Sequence, residues 1–203
     1  MFYQKKLLLI LFLLLISTAS YAVEVGGSFS YFRRIYGDNL ESSYVSRTYS
    51  GSVGFYLFMG TGLEFNYSRS QDYITENQDV PVATNLTITS TQQRTITDIY
   101  GIGVKQALLP RGSFIMPVIS LGYAKQFKRG EIDYTLDNNG TPVTLHYLTE
   151  HSRIDSMFAS FRLQINLFKR LSINGSVDTV FKASEYKEAK NYLKYSAGFS
   201  VYF

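Results

Sequence analysis

Beyond its first 22 residues the chain alternates apolar and polar side chains with a period of two, and no later stretch holds the roughly 20 consecutive apolar residues that a membrane helix requires. Period two is the mark of a β-strand with one apolar and one polar face. The pattern is clean at the end of the chain, where Tyr195, Ala197, Phe199, Val201 and Phe203 share one face and Ser196, Gly198, Ser200 and Tyr202 the other. Each apolar face must meet something other than water, either a packed interior or lipid.

Eight such segments are expected. The first, about Val23 to Tyr36, sets Val25, Phe29 and Tyr31 against Glu24, Gly26, Ser28 and Ser30. The second, about Tyr44 to Phe58, sets Tyr49, Val53, Phe55 and Leu57 against Ser50, Ser52 and Gly54, and a tight turn at Met59-Gly60-Thr61 leads into Leu63, Phe65 and Tyr67 against Glu64, Asn66 and Ser68. A polar connection over about Asp72 to Thr91, with Asn, Gln, Thr and Pro81, reads as a solvated loop or a hairpin extension. The fourth strand pairs Tyr100, Ile102 and Val104 with Gly101, Gly103 and Lys105, and Pro110-Arg111-Gly112 turns it. The fifth, Phe114 to about Leu136, shows Ile119, Leu121, Tyr123 and Phe127, although Met116 and Val118 blur its polar face. Asp137-Asn138-Asn139-Gly140 is a turn, because Asn and Gly tolerate positive φ. The sixth ends at Phe168 with Met157, Ala159, Phe161, Leu163, Ile165 and Leu167 against Ser160, Arg162, Gln164 and Asn166. After Lys169-Arg170, the seventh sets Leu171, Ile173, Val177 and Phe181 against Ser172, Asn174, Ser176 and Asp178, and Ser184 to Asn191 links it to the eighth.

Residues 1–22 read as a cleavable signal peptide: Lys5 and Lys6 precede the apolar run Leu7 to Ile16, and Ser20-Tyr21-Ala22 suits cleavage. Removing Lys5 and Lys6 from 20 basic residues leaves 18 against 16 acidic ones, so no bulk charge points to nucleic acid. The remaining 23–203 suits one domain. With no Cys, the chain has no disulfide, no thiol nucleophile, no lipoprotein anchor and no Cys-based metal site. No metal-ligand spacing, phosphate loop or nucleotide fingerprint occurs, so no metal or cofactor is expected.

Short and long connections alternate between the eight strands, the order of an antiparallel up-and-down barrel in the outer membrane. In a soluble lipocalin-like barrel the apolar face would line the interior instead. The polar series Arg162, Gln164 and Asn166, opposite large apolar residues, suits a polar lumen within a lipid-facing wall.

The predicted barrel resembles the small eight-stranded outer-membrane barrels of the OmpA and OmpX kind, and the closing segment resembles their carboxy-terminal assembly signal, with Tyr195, Gly198, Phe199, Val201 and Phe203 as the matching positions. The resemblance implies an exported monomer in the cell outer membrane of a Gram-negative bacterium, inserted by the barrel-assembly machinery, with loops outside and a structural or surface-interaction role. A narrow, porin-like gated ion channel is the alternative, and a lipid A-modifying enzyme a more distant one. Two departures stand out: the last strand is not followed by a peptidoglycan-binding domain, and the aromatic belts lack Trp.

Parity places Glu24, Glu64, Lys105, Arg162 and Asp178 inside, beside Asn66, Asn166, Asn174 and Gln164. Such charges must pair, so Arg162 is expected against Glu24, Glu64 or Asp178, forming an interior plug or an ion gate. His146, Glu150, His151 and Ser152 cluster in sequence, but adjacent residues of a strand point to opposite sides, so no catalytic set is assigned. Outside, Arg33, Arg47, Arg69, Arg94, Lys125 and Arg153 lie about eight to fifteen residues up their strands, near the outer rim of an apolar core that takes roughly 9 to 11 to cross. They form an expected cationic outer rim for the phosphates and carboxylates of lipopolysaccharide, provided no β-bulge resets the parity.

Overall fold

The computed structural model describes residues 23–37, 42–58, 60–83, 86–110, 113–138, 140–182, 187 and 192–203. The expected signal peptide and the turn residues Met59, Arg111, Gly112 and Asn139 lie outside the described residues, as does most of the 184–191 link. Nine strands follow one another: β1 (Val23–Tyr36), β2 (Ser42–Phe58), β3 (Thr61–Glu76), β4 (Val80–Ala83), β5 (Leu86–Ala107), β6 (Ile115–Asn138), β7 (Thr141–Phe168), β8 (Leu171–Lys182) and β9 (Lys194–Tyr202). All pairings are antiparallel and between neighbours, except that β3 pairs with β5 and β1 with β9. Those two ladders close a ring of eight, and β4 stands outside it, pairing only with β5. The eight-stranded up-and-down barrel is therefore present, with a ninth short strand where a polar connection was expected.

Closure carries a shear. Followed around the barrel, the row through Lys182, Ser156, Ala124, Gly101, Asn66, Ser52, Gly26 and Ser200 returns to β8 at Ser172, ten residues lower. That stagger tilts the strands and leaves an interior that side chains can fill. The two ends of the described chain meet in the ring, where Val23 N donates to Phe203 O at 3.3 Å and Phe203 N to Val23 O at 2.9 Å.

The two faces divide as the period of two dictates. One residue from each barrel strand, Val25, Phe55, Phe65, Ile102, Leu121, Phe161, Ile173 and Phe199, makes a continuous outward apolar belt. Phe181 departs from the expected outward set, being buried. Met116 and Val118, which blurred the fifth segment, belong to the inside: with Tyr56 and Ala107, and with Tyr202 against them, they form an apolar floor at the end where the connections are short. A second inner cluster, Ile99, Ala124 and Phe158 with Val180, lines one wall higher up. Phe158 fits because Gly103 and Gly122 face each other there; a Cβ on Gly122 would lie 2.5 Å from the ring and 2.2 Å from the Ile102 carbonyl.

At the other end the wall does not stop with the ring. Of the two readings of Asp72 to Thr91 the hairpin extension holds: β3 runs to Glu76 in register with β5, and β4 pairs back onto β5. β5, β6 and β7 continue as a projecting sheet to the β6–β7 turn, where Gly140 has φ +84° and its N donates to Asp137 Oδ1 at 2.8 Å. A bulge on β7 opposite Lys128 and Gly130 shifts the register between Ser152 and Thr149. Above it Ile132, Tyr134 and Leu136 of β6 pair with Tyr147, Leu145 and Val143 of β7, and all six continue the inward-facing rows. The outward side there holds Arg94, Glu131, Asp133 and His146. Within the ring the exposed apolar residues face out; in the projecting sheet those six face the barrel axis, while Leu148, opposite Glu131, faces out.

Candidate functional site: the lumen and the outer rim

The polar residues that the period of two turns inward meet at one level just above the apolar floor. Glu24 on β1 is the hub: its Oε2 accepts from Lys105 Nζ at 2.6 Å and Tyr56 OH at 2.8 Å, and its Oε1 from Gln164 Nε2 at 2.8 Å and Arg162 Nη1 at 3.3 Å. Arg162 also approaches Glu64, with Nη2 3.7 Å from Oε1. Lys105 lies over the Tyr56 ring, 4.1 Å from its centroid, a cation–π arrangement that helps a buried ammonium replace its lost hydration. Tyr202 OH donates to Gln164 Oε1 at 2.9 Å. Glu24, Lys105, Gln164 and Tyr56 are each at most 1 % exposed, so with the apolar floor they seal the lumen at this end.

Local sequence explains the fit. Gly54 faces the hub, and a Cβ there would stand 1.9 Å from Lys105 Nζ. The four charged groups expected to pair, Glu24, Glu64, Lys105 and Arg162, are thus brought together. Asp178, the fifth, is not in contact with them. It accepts instead from Ser160 at 2.5 Å, Ser176 at 2.6 Å and Ser196 at 3.0 Å. Asn66, Asn166 and Asn174 also face inward; Asn174 donates to Ser200 Oγ at 3.2 Å, and Asn166 leaves the lumen network to bond the Ser113 carbonyl at 2.6 Å.

Above the hub lies a cavity of about 480 Å³, reaching from Glu64 and Asn66 past Asp178 to Asp72, Lys128 and Lys182. Serines and threonines line much of it, with Phe158, Ile99 and Val180 on one side. Lys194, which sequence reasoning passed over, reaches across it to Ser70 Oγ at 3.0 Å and Thr48 Oγ1 at 3.4 Å. Its inward position was readable from the alternation of the last strand, since it precedes Ser196, Gly198 and Ser200 on the polar face.

On the outside, the bulge at Lys128 and Gly130 falls beyond Arg153, so all six rim cations keep outward positions. Three meet carboxylates of the next strand: Arg69 grips Asp98 with two bonds, at 2.7 and 3.1 Å, Arg94 lies 3.3 Å from Glu131, and Lys125 lies 3.8 Å from Asp155. The rim is therefore mixed in sign, because Asp98, Glu131 and Asp155 share the outward parity and were left out of the sequence reading. Arg33 and Arg47 have no carboxylate within 4 Å among the described residues, and Arg153 stands over Phe127 with its guanidinium 5.9 Å from the centroid. Tyr195, Phe199 and Phe203 are outward and exposed and Val201 is half-buried; Gly198 lets β9 lie close to β1, as a Cβ there would meet Gly27 O at 2.2 Å.

The histidines do not form a catalytic set. His146 Nδ1 is 2.5 Å from Asp133 Oδ1 on the outward side of the projecting sheet, while Glu150 and His151 fall in the β7 bulge. Asp133 holds the His146 ring above its ordinary value of 6.5, chiefly through that hydrogen bond. Among the described residues, no group of three or more His, Asp or Glu side chains could hold a metal ion.

No protein-family model matches the sequence, and no curated protein matches it either. Solved structures do share the fold. The amino-terminal β-barrel domain of Pseudomonas aeruginosa OprF matches over 90 % of this chain and 97 % of that one, with a TM-score of 0.50 at 14 % identity. The attachment invasion locus protein Ail of Yersinia pestis matches over 90 % of this chain and 97 % of that one, with a TM-score of 0.45 at 10 % identity. Neisserial surface protein A covers 91 % of this chain and 98 % of its own, with a TM-score of 0.39 at 12 % identity.

Proposed function

We propose that this protein is a small outer-membrane β-barrel that anchors a projecting β-sheet at the cell surface and acts as a structural or surface-interaction protein, with its lumen sealed by the Glu24 hub. One observation carries the reading: the inversion of sidedness between ring and projecting sheet. A wall that is apolar outside over a polar lumen suits hydrocarbon around it, whereas a sheet with Arg94, Glu131, Asp133 and His146 on its outward side suits water. The change of face marks where the bilayer ends. The short-turn end then lies in the periplasm and the projecting sheet outside.

Surface digestion of intact cells tests this reading. A protease should cut in or near the projecting sheet, residues 130–152, and leave a membrane-protected core; a chain fully protected in intact cells, or fully digested, would overturn it. The purified protein should also migrate faster on a gel before boiling than after, as a closed barrel does.

At the rim, Arg33 and Arg47 on neighbouring strands offer bidentate donors to the phosphates of lipopolysaccharide, because no carboxylate among the described residues lies within 4 Å of them. The cations already held by Asp98, Glu131 and Asp155 serve the wall rather than the lipid. Replacing Arg33 and Arg47 with Gln should lower the extra thermal stability that lipopolysaccharide confers over neutral detergent, and replacing Arg69 should lower stability in both. Equal losses in both media from replacing Arg33 and Arg47 would leave these two with no role beyond anchoring.

A gated channel is the second reading, favoured by one observation. Arg162 is shared between Glu24 and Glu64 at 3.3 and 3.7 Å, so its partner can change without either carboxylate moving far. Planar-bilayer conductance decides: the sealed plug predicts no unitary current from the native protein, and a current that changes with Glu64→Gln would replace the plug by the gate.

A further inference from the structure

The lumen cavity has a polarity that a sealed plug does not need. At its inner end Glu64 and Arg162 line the cavity, above the Glu24–Lys105 pair. Lys105 is committed to Glu24, and Arg162 is no closer than 3.7 Å to Glu64. Glu64 is 2 % exposed, lines the cavity, and its Oε2 has no hydrogen-bond partner among the described residues. A buried carboxylate oxygen left without a donor is costly, and a donor arriving from the cavity would remove that cost.

Further out, Lys194, Lys128 and Lys182 outnumber the acids Asp178 and Asp72. Asp178 and Lys194 are register neighbours on β8 and β9, and both point inward. They form no ion pair. Asp178 is held by three serines and Lys194 by Thr48 and Ser70 on the opposite wall, so the strands keep the two charges apart and solvate each with hydroxyls. Lys128 and Lys182 add positive charge nearer the mouth, and Asp72, bonded to Tyr44 at 3.1 Å, is the acid among them. Between the two ends, Phe158, Ile99 and Val180 supply an apolar wall.

We propose that this cavity binds a small zwitterion, with its ammonium end toward Glu64, its carboxylate or phosphate toward Lys194, and its methylene spacer along the Phe158 wall. A cavity of about 480 Å³ suits one small molecule of this kind. A lone amine satisfies only the inner end and a lone acid only the outer, whereas a zwitterion brings no net charge into the lumen. The proposal goes beyond the anchoring role and does not depend on it, since it concerns the inside of the barrel alone.

Titration calorimetry on the refolded barrel in neutral detergent tests it, using ω-amino acids from glycine to aminohexanoate, with hexylamine and hexanoate as single-charge controls. At least one ω-amino acid should bind about tenfold or more tighter than either control. Glu64→Gln and Lys194→Met should each reduce that affinity to the level of the controls, and Ser28→Phe, which fills the cavity without touching a charge, should abolish binding. Each variant is first required to show the compact unboiled form on a gel; Lys194→Met and Ser28→Phe lie outside the hub and keep the test decisive should Glu64→Gln fail to fold. Absence of binding by every ω-amino acid at millimolar concentration, equal affinity for a control, or indifference to Lys194→Met would overturn the proposal.

Discussion

Glu24 and Asp178 are both carboxylates on the lumen face of the wall, one strand apart through β9, and their surroundings differ in kind. Glu24 is bonded by two cations, an amide and a phenol, and water does not reach it. Asp178 is bonded by three serine hydroxyls and opens onto the cavity. Charge in contact with charge closes the inner end, and charge solvated by neutral hydroxyls keeps the outer end hollow. The same alternating wall thus builds a seal and a chamber, and the side chains decide which: long residues (Lys105, Arg162, Gln164, Tyr56) at one level, serines and threonines at the other.

The largest effect should come from breaking the seal. Glu24→Ala leaves Lys105 and Arg162 without their shared acceptor in a dry site, and removing one member of such a buried set costs about 3–5 kcal/mol. Asp178→Ala removes an acceptor whose serine donors can turn to water in the cavity, so its cost should be near 1 kcal/mol, the scale of a hydrogen bond with a wet alternative. Urea unfolding in detergent measures both. Comparable losses for the two would mean that the cavity is as dry as the hub.

A smaller effect isolates packing from charge. Gly54→Ala keeps every charge but places a methyl where Lys105 Nζ lies, and overpacking of this kind costs about 1–3 kcal/mol. The clash is specific to Lys105, so the same substitution in a Lys105→Ala background should cost measurably less. Additive losses would show that Gly54 is constrained by something other than the ammonium. By contrast, Gly51, which faces outward with only the Gly26 carbonyl within 4 Å, at 3.9 Å, should accept Ala with little change.

This comparison also explains what was legible in the sequence. Alternation reports which side of the wall a residue occupies, so the ring, the outward belt and the inward positions of Glu24, Glu64, Lys105, Arg162 and Asp178 could be read directly. It does not report level. Shear carries a row ten residues up the barrel in one circuit, so residues that meet across the lumen, such as Glu24 and Gln164, are 140 apart in sequence with no local sign of contact. Asp178 was grouped with the hub for that reason and sits above it. The acids of the rim, Asp98, Glu131 and Asp155, obey the same parity rule as the cations, so the mixed sign of the rim is legible in the alternation. The strands of the projecting sheet and the turn at Asp137 to Gly140 are legible, but its sidedness is not: the bulge on β7 moves the inward row from even to odd positions, so odd apolar residues that face out in the ring face the axis above it.

The smallest predicted effect lies in that sheet, where the ring's logic is reversed and a charged pair faces water. His146 and Asp133 are cross-strand neighbours on the outward side, and the aspartate stabilises the protonated ring in the folded state. The folded value therefore lies above the unfolded one, and the contribution to sheet stability is fully present below the ordinary value of 6.5 and is lost as pH rises through the raised folded value. Because the pair is exposed, the gain is small and salt-sensitive, in contrast to the hub. Titration of the His146 ring by NMR in detergent should give a midpoint above 6.5 that falls when Asp133 is replaced with Asn and when salt is raised, while urea unfolding of the ring as a whole shows no change across the same pH range. A midpoint indifferent to Asp133→Asn would mean that the two side chains do not meet in solution, and the projecting sheet would then depend on its inward Tyr134, Leu136, Val143, Leu145 and Tyr147 alone.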